Sequence, residues 1–297
     1  MNRNVKDTIV ESITGVCVLF IIFIIVSILA ITIVGGWPNL NWKFLSELPR
    51  EGMTKGGILP AIVGTAVMTI IMAVAAVPFG VITAIYLAEY ANEKSVIAKT
   101  IRFAVKTLAV VPSIIFGLFG LGFFIGFVGK GMDTLFSGGE LRWGQPNILW
   151  ASLTMALLTL PVVIVSVEEA IRTIPRDMRE ASLALGATKW QTIRKVVLPG
   201  SVSGILTGTI LAVSRGAGEV APILFTGAVY FASNLPHSLS DQFMSLGYHI
   251  YIMSTQSSNV DATQPIQFAT TLVLLLLTFS LNAVAVILRY RIRKRAK

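Results

Sequence analysis

The sequence has little cysteine, little charge and few histidines, and each scarcity excludes a class of protein. The single cysteine, Cys17, rules out an intramolecular disulfide and a metal site built from cysteines. Only 13% of the 297 residues are charged and 54% are hydrophobic, which leaves too little polar surface for a soluble globule. We expect the two histidines, His237 and His249, at the surface rather than in a metal site.

Several catalytic motifs are also missing from the sequence. There is no G-x-x-x-x-G-K-[ST] loop to hold a nucleoside triphosphate, so the chain is expected to bind no cofactor and to take any ATP-derived energy from a partner. The absence of a paired-carboxylate motif and of a nucleophile elbow argues against a membrane enzyme.

Six apolar runs are long enough to cross a bilayer, which takes roughly 20 residues. The predicted spans are 13–34, 58–87, 107–128, 148–167, 201–225 and 266–288. The sequence therefore predicts an all-α polytopic membrane protein, with one transmembrane domain over 1–297. Its first run follows basic residues as a signal peptide would, but its length favours a retained span.

Lysine and arginine predict the orientation of these spans. With the N-terminus inside, 18 of the 24 basic residues lie on the cytoplasmic side, and the outer loop 226–265 has none. Both termini and the segment 175–199 are thus predicted to be cytoplasmic. Because this bias and anionic lipid headgroups account for the net charge of +9, no nucleic-acid partner is expected.

The outer loop is predicted to contain a short amphipathic helix over 240–253. Phe243, Leu246, Ile250 and Met253 recur there at helical spacing, on a segment expected to lie at the outer interface. Two roles stay open for this helix. It would either dock an extracytoplasmic partner or cap the helix bundle.

The polar segment between the fourth and fifth spans predicts a helix–turn–helix hairpin. Pro175 suits a helix start, and Gly186 suits the left-handed residue that follows a helix end. Thr188 and Gln191 have the spacing of a capping box for a second helix, which we expect to end at Pro199. A polar hairpin in this place is suited to contact with a partner.

Two charges lie inside the predicted fifth span, where Arg215 and Glu219 are one helical turn apart. A charge at mid-bilayer costs about 2.5–3.5 kcal/mol on insertion scales, so both must face protein or water. One interpretation is an ion pair that only fixes helix packing. The other is a path for an oxyanion, with the guanidinium as donor and Glu219 as acceptor for a protonated anion.

The hairpin is similar to the EAA loop of ABC importer permeases. The resemblance rests on the stretch EASLALGATKWQTIRKVVLP from Glu180 to Pro199, in which Ser182 replaces the usual alanine. It implies a coupling helix that inserts into a cleft of a cytoplasmic ATPase. The residues that it assigns to ATPase coupling are Glu180, Ala181, Ser182, Leu185, Gly186 and Ala187.

Four segments in order resemble the A-type permease of the phosphate-specific ABC importer, the PstA family. They are GGILPAIVGTAVMT, AIYLAEYA, the EAA loop and SRGAGEVAPILFTGA. The resemblance implies a type I ABC importer permease fold in a bacterial or archaeal cell (inner) membrane, with Arg215 and Glu219 on the substrate path. The implied partners are a C-type permease in a heterodimer, two ATPases that bind ATP and Mg²⁺, and an extracytoplasmic phosphate-binding protein.

Two other functions stay open at this point. An ABC permease for another oxyanion, such as molybdate or sulfate, would share the loop and the topology. An ATP-independent anion transporter or channel would use the same two charges, but it would need no hairpin of this design.

Overall fold

The computed structural model describes residues 3–50, 55–92, 94–136, 138–232, 234–257 and 260–295, and most of them are helical. The α-helices are α1 (Arg3–Gly36), α2 (Trp42–Ser46), α3 (Leu59–Ile85), α4 (Val96–Val110), α5 (Ser113–Phe119), α6 (Lys130–Phe136), α7 (Ile148–Arg172), α8 (Arg176–Ala184), α9 (Lys189–Thr192), α10 (Leu198–Ala217), α11 (Leu246–Thr255) and α12 (Val260–Arg295). Three π-helical segments continue α3, α5 and α9, namely Tyr86–Tyr90, Gly120–Gly129 and Ile193–Val197. Two short strands, β1 (Pro49–Arg50) and β2 (Lys55–Gly56), pair antiparallel.

Six helical stretches of the described chain are long and apolar enough to cross a bilayer, as the sequence predicts. They are Ile9–Asn39, Leu59–Tyr90, Ser113–Phe136, Ile148–Arg172, Lys189–Ala217 and Thr263–Arg291. The fourth is central, since 61% of its most apolar window is buried, and α3 and α10 both pack against it. The first lies at the edge against α12 with only 6% of its window buried, which leaves an apolar surface suited to lipid.

Small residues hold the fifth span close to the fourth. A Cβ atom at Gly204 would lie 2.7 Å from the Cβ of Ala170, and one at Gly208 would collide with Ser166. Helices approach this closely only where their facing side chains are small. The two spans that flank the hairpin are therefore packed together along their length.

The predicted third span, 107–128, differs from the structure at its start. Residues up to Val110 belong to α4, and the helix begins again only at Ser113. Pro112 explains the break, because a residue that precedes proline is disfavoured in the helical region. Val111 accordingly has the extended angles φ −69° and ψ 130°.

The start of the fifth span also differs from the prediction of 201–225. The second helix of the hairpin does not end at Pro199, because helix runs from Lys189 through the π-helical segment into α10. Pro199 lacks an N–H group and would clash with the carbonyl four residues earlier in a regular α-helix. The residue four positions before Pro199 is Lys195, which lies in the wider π-helical segment Ile193–Val197, and this lets the helix continue.

The same span ends eight residues earlier than predicted. The helix stops at Ala217 with Gly218 as its C-cap, and turns follow up to Gly227. Glycine is a poor helix former, and Pro222 could not continue the helix in any case. Glu219 therefore lies just beyond the helix rather than inside it.

The predicted helix over 240–253 is shifted and is not at an exposed interface. The observed helix is α11, Leu246–Thr255, and it packs against α3 and α12. Phe243 and Met244 precede it and are fully buried, while the N–H of Leu246 donates to the hydroxyl of Thr65 at 2.9 Å. This packing is what capping of the bundle requires.

His249 is buried in α11, so the prediction of a surface residue is wrong for it. Only 3% of the residue is exposed, and neither ring nitrogen has a hydrogen-bond partner among the described residues. Burial disfavours the charged imidazolium and lowers the pKa of His249 to about 4.

Acidification is expected to destabilise the fold through His249. The unfolded chain takes up a proton near pH 6.5 and the folded chain only near pH 4, so about 3 kcal/mol of stability is lost as the pH falls through this window. The measurement is the thermal unfolding midpoint of the detergent-purified protein at several pH values. His249→Gln should flatten the profile, and an unchanged slope would contradict the prediction.

Candidate functional site

The hairpin between α7 and α10 has both features that the sequence predicts for its turn, a left-handed glycine and a capping box. Gly186 has φ +85°, and the N–H groups of Gly186 and Ala187 donate to the carbonyls of Leu183 and Ser182, which together close α8. The second arm begins with a complete capping box, in which Thr188 and Gln191 satisfy each other's backbone N–H groups. Hydrogen bonds therefore fix the shape of the turn.

One face of the hairpin is exposed and apolar. Leu185 is 90% exposed, Met178, seven residues earlier on the same side of the helix, is 50% exposed, and α8 buries none of its residues. Glu180, Ala181 and Gly186 are exposed as well, whereas Ala187 is partly buried. Exposed apolar side chains in a polar segment commonly mark a protein contact, so this face has the character of a docking surface.

Ser182 has a second role inside the hairpin. Its hydroxyl lies 2.9 Å from that of Thr192, which is buried at the base of the second arm. Serine in place of the usual alanine therefore adds a hydrogen bond between the two arms. The bond helps to keep the arms at a fixed angle.

Sequence reasoning missed the residue that anchors the hairpin, Arg179. Its Nε and Nη2 atoms lie 3.0 and 2.9 Å from Glu89 Oε1 at the end of the second span. The same guanidinium donates to the carbonyls of Ile171, at 2.9 Å, and Ile174, just beyond the fourth span. The sequence feature that pointed to this ion pair was Glu89, an acidic residue in the otherwise uncharged stretch AIYLAEYA. Its partner lies 90 residues away in the sequence.

A neighbouring ion-pair network, also not predicted, joins α4 to α7. Glu168 accepts hydrogen bonds from Arg172 and forms a 2.7 Å ion pair with Arg102. Arg102 also donates to the carbonyl of Leu87, inside the π-helical segment that ends the second span. The π-helical end of the second span is therefore held by two arginines, Arg102 from α4 and Arg179 from α8.

Arg215 and Glu219 line a cavity of ≈ 180 Å³ beside the break in the third predicted span. Leu108, Ser113 and Thr159 share this cavity. The buried Thr159 hydroxyl donates to backbone carbonyls of its own helix, so the hydroxyl group offered by the wall is that of Ser113. Arg215 Nε lies 3.7 Å from Glu219 Oε1, which is too long for a hydrogen bond. Since the Arg215 side chain is 73% exposed, its donors remain available to an anion.

Gly216 connects this cavity to the second span. A Cβ atom there would lie 2.7 Å from the sulfur of Met72 in α3 and 2.9 Å from the methyl group of Thr159 in α7. Three spans therefore meet one residue away from Arg215. A shift of α3 at this level must move the wall of the cavity.

Comparison with known proteins identifies the family. A family model of the binding-protein-dependent transport system inner membrane component matches residues 76–294. The probable ABC transporter permease protein YqgI of Bacillus subtilis is 30% identical over 88% of this chain and 88% of its own length. The phosphate transport system permease protein PstA of Yersinia pestis is 36% identical over 82% of this chain and 74% of its own length.

Solved structures share the fold at low sequence identity. An inward-facing MetNI methionine ABC transporter aligns with a TM-score of 0.60 at 18% identity, over 79% of this chain and 95% of that one. A bacterial alginate ABC transporter aligns with a TM-score of 0.67 at 14% identity, over 94% and 93% of the two chains. The fold is thus that of type I ABC importer permeases, and the chain belongs to the binding-protein-dependent transport system inner membrane component family and, within it, to the PstA permeases.

Proposed function

We propose that this chain is a permease subunit of an ATP-driven importer for inorganic phosphate in the bacterial or archaeal cell (inner) membrane. The likeness to the PstA protein of Yersinia pestis, whose name specifies phosphate transport, carries the choice of substrate. The cavity at Arg215 supports it, because a guanidinium and the nearby Ser113 hydroxyl are suited to an oxyanion.

The hairpin is the proposed site of ATPase coupling. Its exposed apolar face and fixed turn suit insertion into a cleft of a cytoplasmic ATPase. The distribution of lysine and arginine favours a cytoplasmic position for the hairpin and for both termini. The sequence has no phosphate-binding loop of its own, so ATP and Mg²⁺ belong to two partner ATPase subunits. A C-type permease would complete the heterodimer, and an extracytoplasmic binding protein would deliver phosphate.

The transport cycle follows from these parts. ATP binding closes the ATPases and moves the hairpin, which tilts the packed spans so that the cavity opens outward. Phosphate enters from the binding protein and meets Arg215, while the carboxylate of Glu219 accepts a hydrogen bond from the P–OH group of HPO₄²⁻. Hydrolysis of ATP then returns the spans to the inward-open state.

Reconstitution tests the proposal. Vesicles that hold this chain with its C-type permease and ATPases, supplied with the binding protein, should take up labelled phosphate only when ATP is present. An excess of unlabelled sulfate or molybdate should not suppress that uptake. ATP-dependent entry of labelled sulfate or molybdate, with no entry of labelled phosphate, would make this a permease for that oxyanion, and uptake without ATP would indicate a transporter or channel of another class.

A further inference from the structure

We propose that Arg179 transmits the movement of the coupling hairpin to the second span through its ion pair with Glu89, and that α3 carries it on to the Arg215 cavity. This inference rests on the proposed role of the hairpin in ATPase coupling. It adds a positioning residue that contacts neither the substrate path nor the exposed docking face.

Here the tie means the non-covalent link from the hairpin to the second span through Arg179 and Glu89. The hairpin needs this tie because the chain connects it directly only to other spans. The chain joins it to the fourth and fifth spans, whereas the second span ends at Tyr90, far from it in sequence. The first arm, α8, buries no residue, so apolar packing does not fasten it to the bundle. A cavity of ≈ 460 Å³ lies between this arm and the span ends, with Glu89, Arg179 and Lys189 in its wall.

Arg179 is built to bridge these parts. It contacts one carboxylate of the second span, one carbonyl in the last turn of α7 and one just beyond that helix, and only 19% of its side chain is exposed. Glu89 is 9% exposed, which protects the pair from screening by salt. In the second arm, Lys189 Nζ lies 5.0 Å from the ring centre of Tyr90, next to Glu89. Both arms of the hairpin therefore hold the last turn of the second span.

The second span leads from this tie to the cavity. From Glu89 to Met72 the helix covers about 25 Å, at 1.5 Å per residue. Met72 is fully buried against Gly216, one residue from Arg215. Pro78 lies between these two residues, and Glu89 itself lies in the π-helical segment Tyr86–Tyr90, but the helix continues through both. Because α3 packs closely on α7 and α10, we infer that a pull at Glu89 displaces the span as far as Met72. Movement of the hairpin thereby reaches the Arg215 cavity both through α10, which follows the hairpin in the chain, and through α3.

Arg179→Gln and Glu89→Gln test the tie in the reconstituted complex, with the number of phosphate ions imported per ATP hydrolysed as the readout. Each variant should lower that ratio about tenfold, a usual size for coupling between two sites, while ATP hydrolysis continues. The double variant should be no worse than the more severe single one, since both changes remove the same interaction. Arg172→Gln is the matched control, because Arg172 lines the same cavity and carries the same charge but does not contact Glu89.

The outcomes separate this inference from the proposed function. If the unmodified complex imports no phosphate, the proposed function fails. If it does and Arg179→Gln keeps the normal ratio, or Arg172→Gln lowers the ratio equally, the tie is refuted. Should Arg179→Gln fail to assemble with the ATPase, an assembled but uncoupled Glu89→Gln complex still supports the tie, whereas failed assembly of both variants would show a role in folding instead.

Discussion

Replacing Arg215 with glutamine is expected to lower phosphate uptake by about 100-fold in the reconstituted complex, while ATP hydrolysis continues. The loss of a charge-assisted hydrogen bond to the anion costs about 3 kcal/mol, which corresponds to roughly that factor. The phosphate uptake of Arg215→Lys should lie between that of the unmodified chain and that of Arg215→Gln, because lysine keeps the charge but cannot present the planar pair of donors. Labelled phosphate uptake, normalised to the amount of assembled complex, provides the measurement.

The structure separates this expectation from that of a purely structural ion pair. A pair that served only to fix packing would be buried and hydrogen-bonded, whereas Arg215 lies 3.7 Å from Glu219 and is 73% exposed. Removal of so open a contact should cost little stability, since exposed pairs contribute about 0–1 kcal/mol. A large loss of thermal stability in Arg215→Gln, with uptake per folded molecule unchanged, would favour the structural role.

Glu219 provides the control for anion selectivity. A carboxylate accepts a hydrogen bond from HPO₄²⁻, but it repels sulfate, which carries no proton at neutral pH. Glu219→Gln should therefore weaken discrimination against sulfate in competition uptake, and Arg215→Gln should lower uptake without that change in preference. Equal selectivity in Glu219→Gln and the unmodified chain would remove Glu219 from the recognition of the protonated oxygen.

Local sequence signals predicted local structure well in this chain. The left-handed Gly186 and the Thr188–Gln191 capping box both form as expected, because each depends on residues within one turn of the chain. The six spans were also predictable, since the requirement for about 20 apolar residues does not depend on their neighbours.

The predictions from the sequence failed in two situations. In one, the effect of a proline on a helix depended on the turns around it, and in the other, a residue's contact partner was distant in the sequence. Pro199 was expected to stop a helix, but the π-helical turns before it provide the room that its ring needs. Pro112, by contrast, does interrupt the third predicted span, where Val111 leaves the helical region. No periodicity in the sequence could join Glu89 to Arg179, because their contact depends on how the second span packs beside the hairpin.

Replacing Gly186 with valine is expected to uncouple ATP hydrolysis from transport, with about a tenfold fall in phosphate imported per ATP. Gly186 has φ +85°, a conformation that a β-branched residue adopts only with strain, so valine must distort the turn. No other part of the described chain lies within 4 Å of a Cβ atom placed there, so the strain acts on the turn and not on packing in this subunit. The measurements are ATP hydrolysis and phosphate uptake on the same vesicles.

A graded series and a matched glycine make this test specific. Gly186→Asn should be mildest, because asparagine tolerates the left-handed region, and alanine should be intermediate at about 1–2 kcal/mol of strain. Gly139 has φ +94° and equally open surroundings, but it lies in the connection after the third span. Gly139→Val therefore imposes the same strain away from the hairpin and should leave the ratio unchanged. If Gly186→Val also keeps the normal ratio, the angle between the two arms does not carry the coupling.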